Sequence, residues 1–441
     1  MTQSAVIGLI VFVIMMIMIF AGVPVFISML TCAALGFLWI SNWSPTVLFT
    51  KFRTAPFDLA ANYTYAVLPM FMLVGSLAGD TGIASGAFKS MHTWLGRIKG
   101  GLLFTVVAAN AVFGACSGSS VAGNIVFGKL SLPELEEKGY SKKYSLGCIA
   151  ASGALSTLIP PSMAIIMYCM ISPITMSVGT ALMCGVIPGL LVAFMLCVTI
   201  RIIGRIHPDA IPPGGGEKVP MKEKLKTLTL LIPIICLFGL IIGGTFAGWF
   251  TATVGGAVGA MAVVVYALVK KLPLKHIWKC IWEAATMEAG VFPIIISGQL
   301  FGSFIAMTGL ASQLAKLIAT VNAPRFFIFM LVVVLYIFCG CVMDIVSIII
   351  ITVPVVFPVL NAVGYSPYVL VITLCFMCEI AGLTPPIGMN VFATSNALRI
   401  NPSEIFKGVI PYFICEVAVV MFLALFPDVI LILPRLLGAS V

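Results

Sequence analysis

From Ala5 to Phe20 the chain carries no polar side chain, and apolar runs of this kind follow one another, separated by short polar breaks, almost to the C-terminus. Backbone placed in hydrocarbon must satisfy its own N–H and C=O groups, so such a chain folds as helices or as a closed barrel. The runs are continuous and lack the two-residue alternation of a barrel strand, which leaves helices. Only 9% of the residues are charged, against 61% apolar, whereas soluble domains carry about a quarter charged residues. A soluble enzyme, a disordered chain and a secreted disulfide scaffold are thereby excluded. At ~20 residues per span, 441 residues allow about a dozen membrane segments.

The apolar runs predict spans at 5–20, 23–40 and 64–80, which form N-terminal scaffold within residues 1–80, and an amphipathic arm at 84–98. The run from Ala5 has no basic residue before it, so it reads as a first span rather than a cleaved signal. Residues 100–204 form a first repeat. Its two short arms, within 100–135, carry Lys129 and Glu134 and are joined by Ser117, Gly118, Ser119 and Ser120, which suits a re-entrant hairpin better than two crossings. A broken helix at 145–172 is interrupted by Ile159, Pro160, Pro161 and Ser162, and a span at 178–204 follows. After a cytoplasmic loop at 205–226 the order recurs, with scaffold spans 228–243 and 249–269 (a hairpin over 228–269), a basic connection 273–286, a span 287–308 and an arm 309–323. The second repeat, 326–431, holds a hairpin 326–361, a broken helix 366–395 and a last span 406–431.

A gapless offset of 225 residues makes the repetition explicit: Pro133 meets Pro358, Gly139-Tyr140-Ser141 meets Gly364-Tyr365-Ser366, and Leu158, Pro160 and Pro161 meet Leu383, Pro385 and Pro386. Five crossings per half turn the second half upside down, an inverted-topology repeat of the kind found in secondary transporters. The net charge of +9 follows topology rather than a nucleic-acid partner, since ten of the 24 Lys and Arg flank one helical hairpin between Arg201 and Lys279. With both termini periplasmic, 19 of the 24 face the cytoplasm and only Lys51, Arg53, Lys316, Arg325 and Arg435 lie outside. The thirteen cysteines, Cys375 and Cys378 included, read as small apolar residues.

A double proline in mid-span removes backbone donors and leaves carbonyls unpaired where lipid cannot satisfy them. At each break the half-helix that ends offers carbonyls to a cation, and the one that begins offers amides to an anion. The Ser117–Ser120 tip, with Asn124 just beyond, can supply hydroxyl and backbone oxygens to a hard cation and donors to a carboxylate. The break from Gly153 to Ser162 holds no carboxylate, so a cation there is held by neutral oxygens, which favours a monovalent ion such as Na⁺. The second tip, Gly340 to Asp344 with Ser347 and Thr352 nearby, is less polar. Intramembrane Asp344 and Glu379 either carry a proton or balance a cation, or else they are buried groups bonded to helix ends; Glu416 is a third acid at this depth.

The stretches GACSGSSVA (Gly114 to Ala122), LIPPS (Leu158 to Ser162), VIPG (Val186 to Gly189) and EIAGLTPPIGMN (Glu379 to Asn390) resemble the large membrane subunit of tripartite ATP-independent periplasmic (TRAP) transporters over essentially the whole chain. The resemblance implies an elevator-type, Na⁺-driven importer of organic acids in the bacterial inner membrane. It would work in membrane lipid with a separate small membrane subunit and a periplasmic substrate-binding protein. Two or more Na⁺ ions would be held by Ser119, Ser120, Asn124, Ile159 and Pro160 in the first repeat, and by Gly340, Asp344, Gly382, Thr384 and Pro385 in the second. Substrate would lie between the tips, against Ser117, Gly118, Ser119, Ser162, Gly388 and Asn390.

Two other functions compete. An intramembrane hydrolase needs a base, but the only histidines, His92, His207 and His276, sit in basic cytoplasmic segments. A stand-alone proton- or Na⁺-coupled anion permease would share the architecture and take free substrate without a binding protein.

Overall fold

The computed structural model describes residues 2–439 except 215–218, 322–323 and 387. The expected loop 205–226 and arm 309–323 therefore fall partly outside the described residues. Helices account for all the regular structure among these residues. Six helices are long and apolar enough to cross a membrane. Two pairs, Pro45–Ala61 with Tyr63–Asp80 and Lys142–Leu158 with Met163–Ile171, pass as spans bent by 50°.

Each hairpin returns to the side it starts from. The first runs in along Gly101–Ser117 and back along Ser120–Glu137, and its two ends, at Leu102 and Tyr140, line one surface cavity. The second uses Arg325–Gly340 and Ile345–Ala362, and its ends meet where the Arg325 guanidinium lies 5.6 Å from the centre of the Tyr365 ring. Although Ile345–Ala362 is long enough to cross, this return marks it as a re-entrant arm. The two hairpins enter from opposite faces, and the 24-residue helix Pro402–Leu425 shows it. Near its N-terminus Glu404 pairs with Lys142 at the base of the first hairpin (3.6 Å), while Leu425 borders a cavity shared with Arg325 and Tyr365 at the base of the second. Glu404 and Leu425 are about 32 Å apart at 1.5 Å per residue, close to the thickness of a bilayer's hydrocarbon core.

The returning arms pack reciprocally, Ser120–Glu137 against Met389–Leu398 and Ile345–Ala362 against Met163–Ile171. The two copies of one sequence pattern thus clasp each other, the returning arm of each lying on the broken helix of the other. Gln3–Phe20, Val25–Ile40, Val67–Asp80, Ala252–Val269 and Leu274–Thr308 form a second group of packed helices beside them.

Four segments differ from the sequence reading, the first being the expected loop 205–226, inside which the helix Met221–Leu228 already begins and runs on toward Phe246. Pro45–Ala61 is helical where no span was expected; Lys51, Arg53 and Asp58 lower its apolar content, and most of its surface is exposed. Residues 273–286 and 287–308 are one 35-residue helix, Leu274–Thr308, because its basic first turns contain good helix formers and no break. The last span ends at Leu425 rather than at residue 431: Pro427 stops it, and a short helix Asp428–Leu436 follows, held by an Arg435–Asp428 bridge of 2.8 Å. All thirteen cysteines are free thiols, and Cys375 and Cys378 are buried among apolar neighbours.

Candidate functional site

At the centre of the fold each hairpin tip rests on a proline break. The first break lies between Leu155–Leu158 and Met163–Ile171, and Ile159, Pro160, Pro161 and Ser162 are all buried. Gly118 turns the tip with φ +58°, and a Cβ there would sit 2.5 Å from the Pro161 carbonyl oxygen, so only glycine lets tip and break touch. In the second repeat Cys341 Sγ lies 3.7 Å from Thr384 Oγ1 and Gly340 packs on Ala381, but Pro385 and Pro386 are exposed.

Small polar side chains start the helices that leave these points. Ser119 Oγ accepts from the Ala122 amide (3.4 Å), and Ser162 Oγ from the Ile165 amide (3.3 Å). Asp344 caps Ile345–Ala362, accepting from the amides of Val346 (3.1 Å) and Ser347 (3.3 Å) and from the Ser347 hydroxyl. Of its two readings, the helix-end role is the one its contacts display. Gly388, at φ +48°, precedes Met389–Leu398, while the Gly382 carbonyl accepts from the Asn390 amide (3.1 Å). The Thr384 hydroxyl donates to the Ala381 carbonyl (2.6 Å), leaving its lone pairs open.

Six buried oxygens of the first repeat have no protein partner: Asn110 Oδ1, Ser117 Oγ, Asn124 Oδ1, Ser145 Oγ, Ser156 Oγ and Tyr168 Oη. The amide nitrogens of both asparagines are engaged, Asn110 Nδ2 on Ser152 Oγ (2.7 Å) and Asn124 Nδ2 on the Ala150 carbonyl (3.2 Å), which turns the oxygens inward. Leaving such atoms bare in an apolar interior is unfavourable, so they fit a bound cation or water. Asn110 and Ser156 were not singled out from sequence. Each is a lone polar residue in an apolar run, and they approach only because Gly123 and Gly114 bring their helices close.

A polar chain ties the repeats together. Ser120 Oγ donates to Asn390 Oδ1 (3.2 Å), Asn390 Nδ2 donates to Glu379 Oε2 (2.7 Å), and the Thr157 hydroxyl donates to Glu379 Oε1. Ser120 and Thr157 belong to the first repeat, Glu379 and Asn390 to the second. Glu379 thus has partners from both halves, whereas both oxygens of Glu416 lack one.

Beside this chain lies a cavity of about 490 Å³. Ser120, Met163, Ile345 and Met389, the first residues of four helices, face it, together with Ser117, Gly118 and Ser119. Its other wall comes from Met72 and Ser76 of Val67–Asp80 and from Glu283 and Met287 of Leu274–Thr308. No Lys, Arg or His lines it among the described residues. Four helix N-termini, the positive ends of their dipoles, therefore face one cavity.

Comparison with known proteins agrees with this geometry. The family described as the DctM component of tripartite ATP-independent periplasmic transporters matches residues 12–429. The C4-dicarboxylate TRAP transporter large permease protein DctM of Pseudomonas aeruginosa is 28% identical over 386 residues, covering 87% of this chain and 89% of its own length. The sialic acid TRAP transporter large permease protein SiaM of Vibrio cholerae is 29% identical over 425 residues, covering 95% and 96%. Among solved structures, the Alcanivorax borkumensis YdaH transporter shares the fold, with a TM-score of 0.61 at 15% identity over 86% of this chain and 88% of that one. With a match running from the first helix to the last, the chain belongs to the DctM family of TRAP transporters, as a large membrane permease.

Proposed function

We propose that the chain is the permease of a Na⁺-coupled importer of small organic acid anions. The observation that carries this reading is the convergence of four helix N-termini on one cavity without a basic side chain. The unpartnered oxygens of Asn110, Ser117, Asn124 and Ser156 fit a monovalent cation in the first repeat. In the second, the Thr384 hydroxyl and the carbonyls of Gly340 and Pro385 would do so, with the capping carboxylate of Asp344 adding charge. Ser119 and Ser120 contribute through backbone, since their hydroxyls hold Ala122 and Asn390.

The two hairpins with their broken helices would then travel as one body against the scaffold, an elevator, with the arms Ile83–Leu95 and Leu310–Val321 as hinges. A separate small membrane subunit and a periplasmic binding protein that hands over substrate complete the system, as the names of the relatives suggest. Uptake of labelled organic acids into proteoliposomes, with and without a Na⁺ gradient and with and without the binding protein, tests this. We expect uptake only when both are present; equal uptake of free substrate without the protein would instead favour a stand-alone permease.

A further inference from the structure

The four helix N-termini around the cavity are related in pairs by the repeat, but they are not equally dressed. In the first repeat both are capped by neutral hydroxyls, Ser119 and Ser162. In the second, the Asp344 carboxylate caps Ile345–Ala362, occupying the amides of Val346 and Ser347, and the Glu379 carboxylate is held by side chains, Asn390 at the start of Met389–Leu398 and Thr157 of the first repeat. A carboxylate already bonded to helix amides offsets the positive end that would attract another. The attraction for an incoming anion is thus concentrated at the first repeat, where the tip touches the break at Gly118 and Pro161.

The rest of the wall is mainly apolar. Met72, Met167, Met287, Ile345, Val346 and Ile349 face the same space, and Glu283 and Glu379 are its acidic members. From this asymmetry we infer that the site takes a monocarboxylate with an apolar body, not a dicarboxylate. The carboxylate lies at the serine-capped ends of Ser120–Glu137 and Met163–Ile171, and the hydrocarbon lies against the methionine and isoleucine wall. A second carboxylate would meet Glu283, Glu379 or thioethers, and would be desolvated without a donor. This rests on the anion-importer reading and specifies its substrate class.

Butanoate and succinate have the same carbon count and differ only in the second carboxylate. Their binding to the purified full-length chain in detergent with Na⁺ is read from ligand-induced rises in melting temperature, which grow with ligand concentration over Kd. Butanoate should bind at least about tenfold more tightly than succinate. From propanoate to hexanoate the affinity should rise about fourfold per methylene, the value of one buried CH₂. Succinate binding as tightly as butanoate, or affinity flat with chain length, overturns the inference and leaves the importer reading standing. Binding of neither class at any Na⁺ concentration overturns both. Asp344→Ser keeps a helix cap of similar strength while removing the resident charge. It should narrow the butanoate-to-succinate ratio, and because a ratio cancels any shared loss of Na⁺ affinity, an unchanged ratio counts against the inference.

Discussion

Ser156 is a small residue in an apolar helix, buried with its hydroxyl oxygen unpartnered, and it stands within reach of the space between Gly114 and Gly123. If that oxygen is a cation ligand, Ser156→Ala removes it without altering the proline break. One lost oxygen is worth about 1–3 kcal/mol, by analogy with a lost buried hydrogen bond. The Na⁺ concentration for half-maximal uptake should therefore rise about tenfold. Unchanged Na⁺ dependence in a folded variant would mean that water alone serves this atom. Sequence pointed to Ser117, Gly118 and the prolines because Gly and Pro advertise backbone geometry. It was silent on Asn110, Ser156 and Thr157, whose meaning depends on helices that meet only in three dimensions. The role of Asp344 was legible only as a pair of alternatives, and the amides of Val346 and Ser347 show which one its contacts serve.

Among the elements, a close backbone-to-backbone crossing joins Lys142–Ser152 to Pro402–Leu425. A Cβ on Gly147 would lie 2.1 Å from the Gly408 carbonyl oxygen, and one on Gly408 would lie 1.9 Å from that of Lys143. Small residues at such a crossing let membrane helices approach closely enough for dispersion to hold them. Gly147→Val or Gly408→Val should push the helices apart, and we expect loss of the monodisperse peak in detergent chromatography; normal elution and melting would show that the crossing adapts. Hairpins and breaks were readable because Gly139-Tyr140-Ser141 and Gly364-Tyr365-Ser366 fix equivalent turns in both halves. Helix continuity at Leu274–Thr308 was not, because Lys275 and Lys279 suggested a surface connection while the backbone simply continued outward from the membrane. The asymmetry of the two breaks, one buried and one exposed, also escaped the pattern, since burial depends on what packs over a segment and the two prolines are the same in both.

For the whole molecule, the proposed motion puts the second hairpin in sliding contact with the scaffold. A Cβ on Gly302 would lie 3.7 Å from that of Pro354, a separation suited to a disulfide. Gly302→Cys with Pro354→Cys, in a background without native cysteines, should block uptake on oxidation and restore it on reduction. Undiminished uptake with the crosslink formed would argue for gating within a static body. The helix Pro402–Leu425 offers a complementary measurement. Because its ends lie beside the bases of opposite hairpins, it is a molecular ruler set upright through the bilayer. Spin labels near Glu404 and Phe426 would gain and lose contact with water in opposite senses as the unit travels, so the two signals taken together distinguish a true vertical displacement from a tilt.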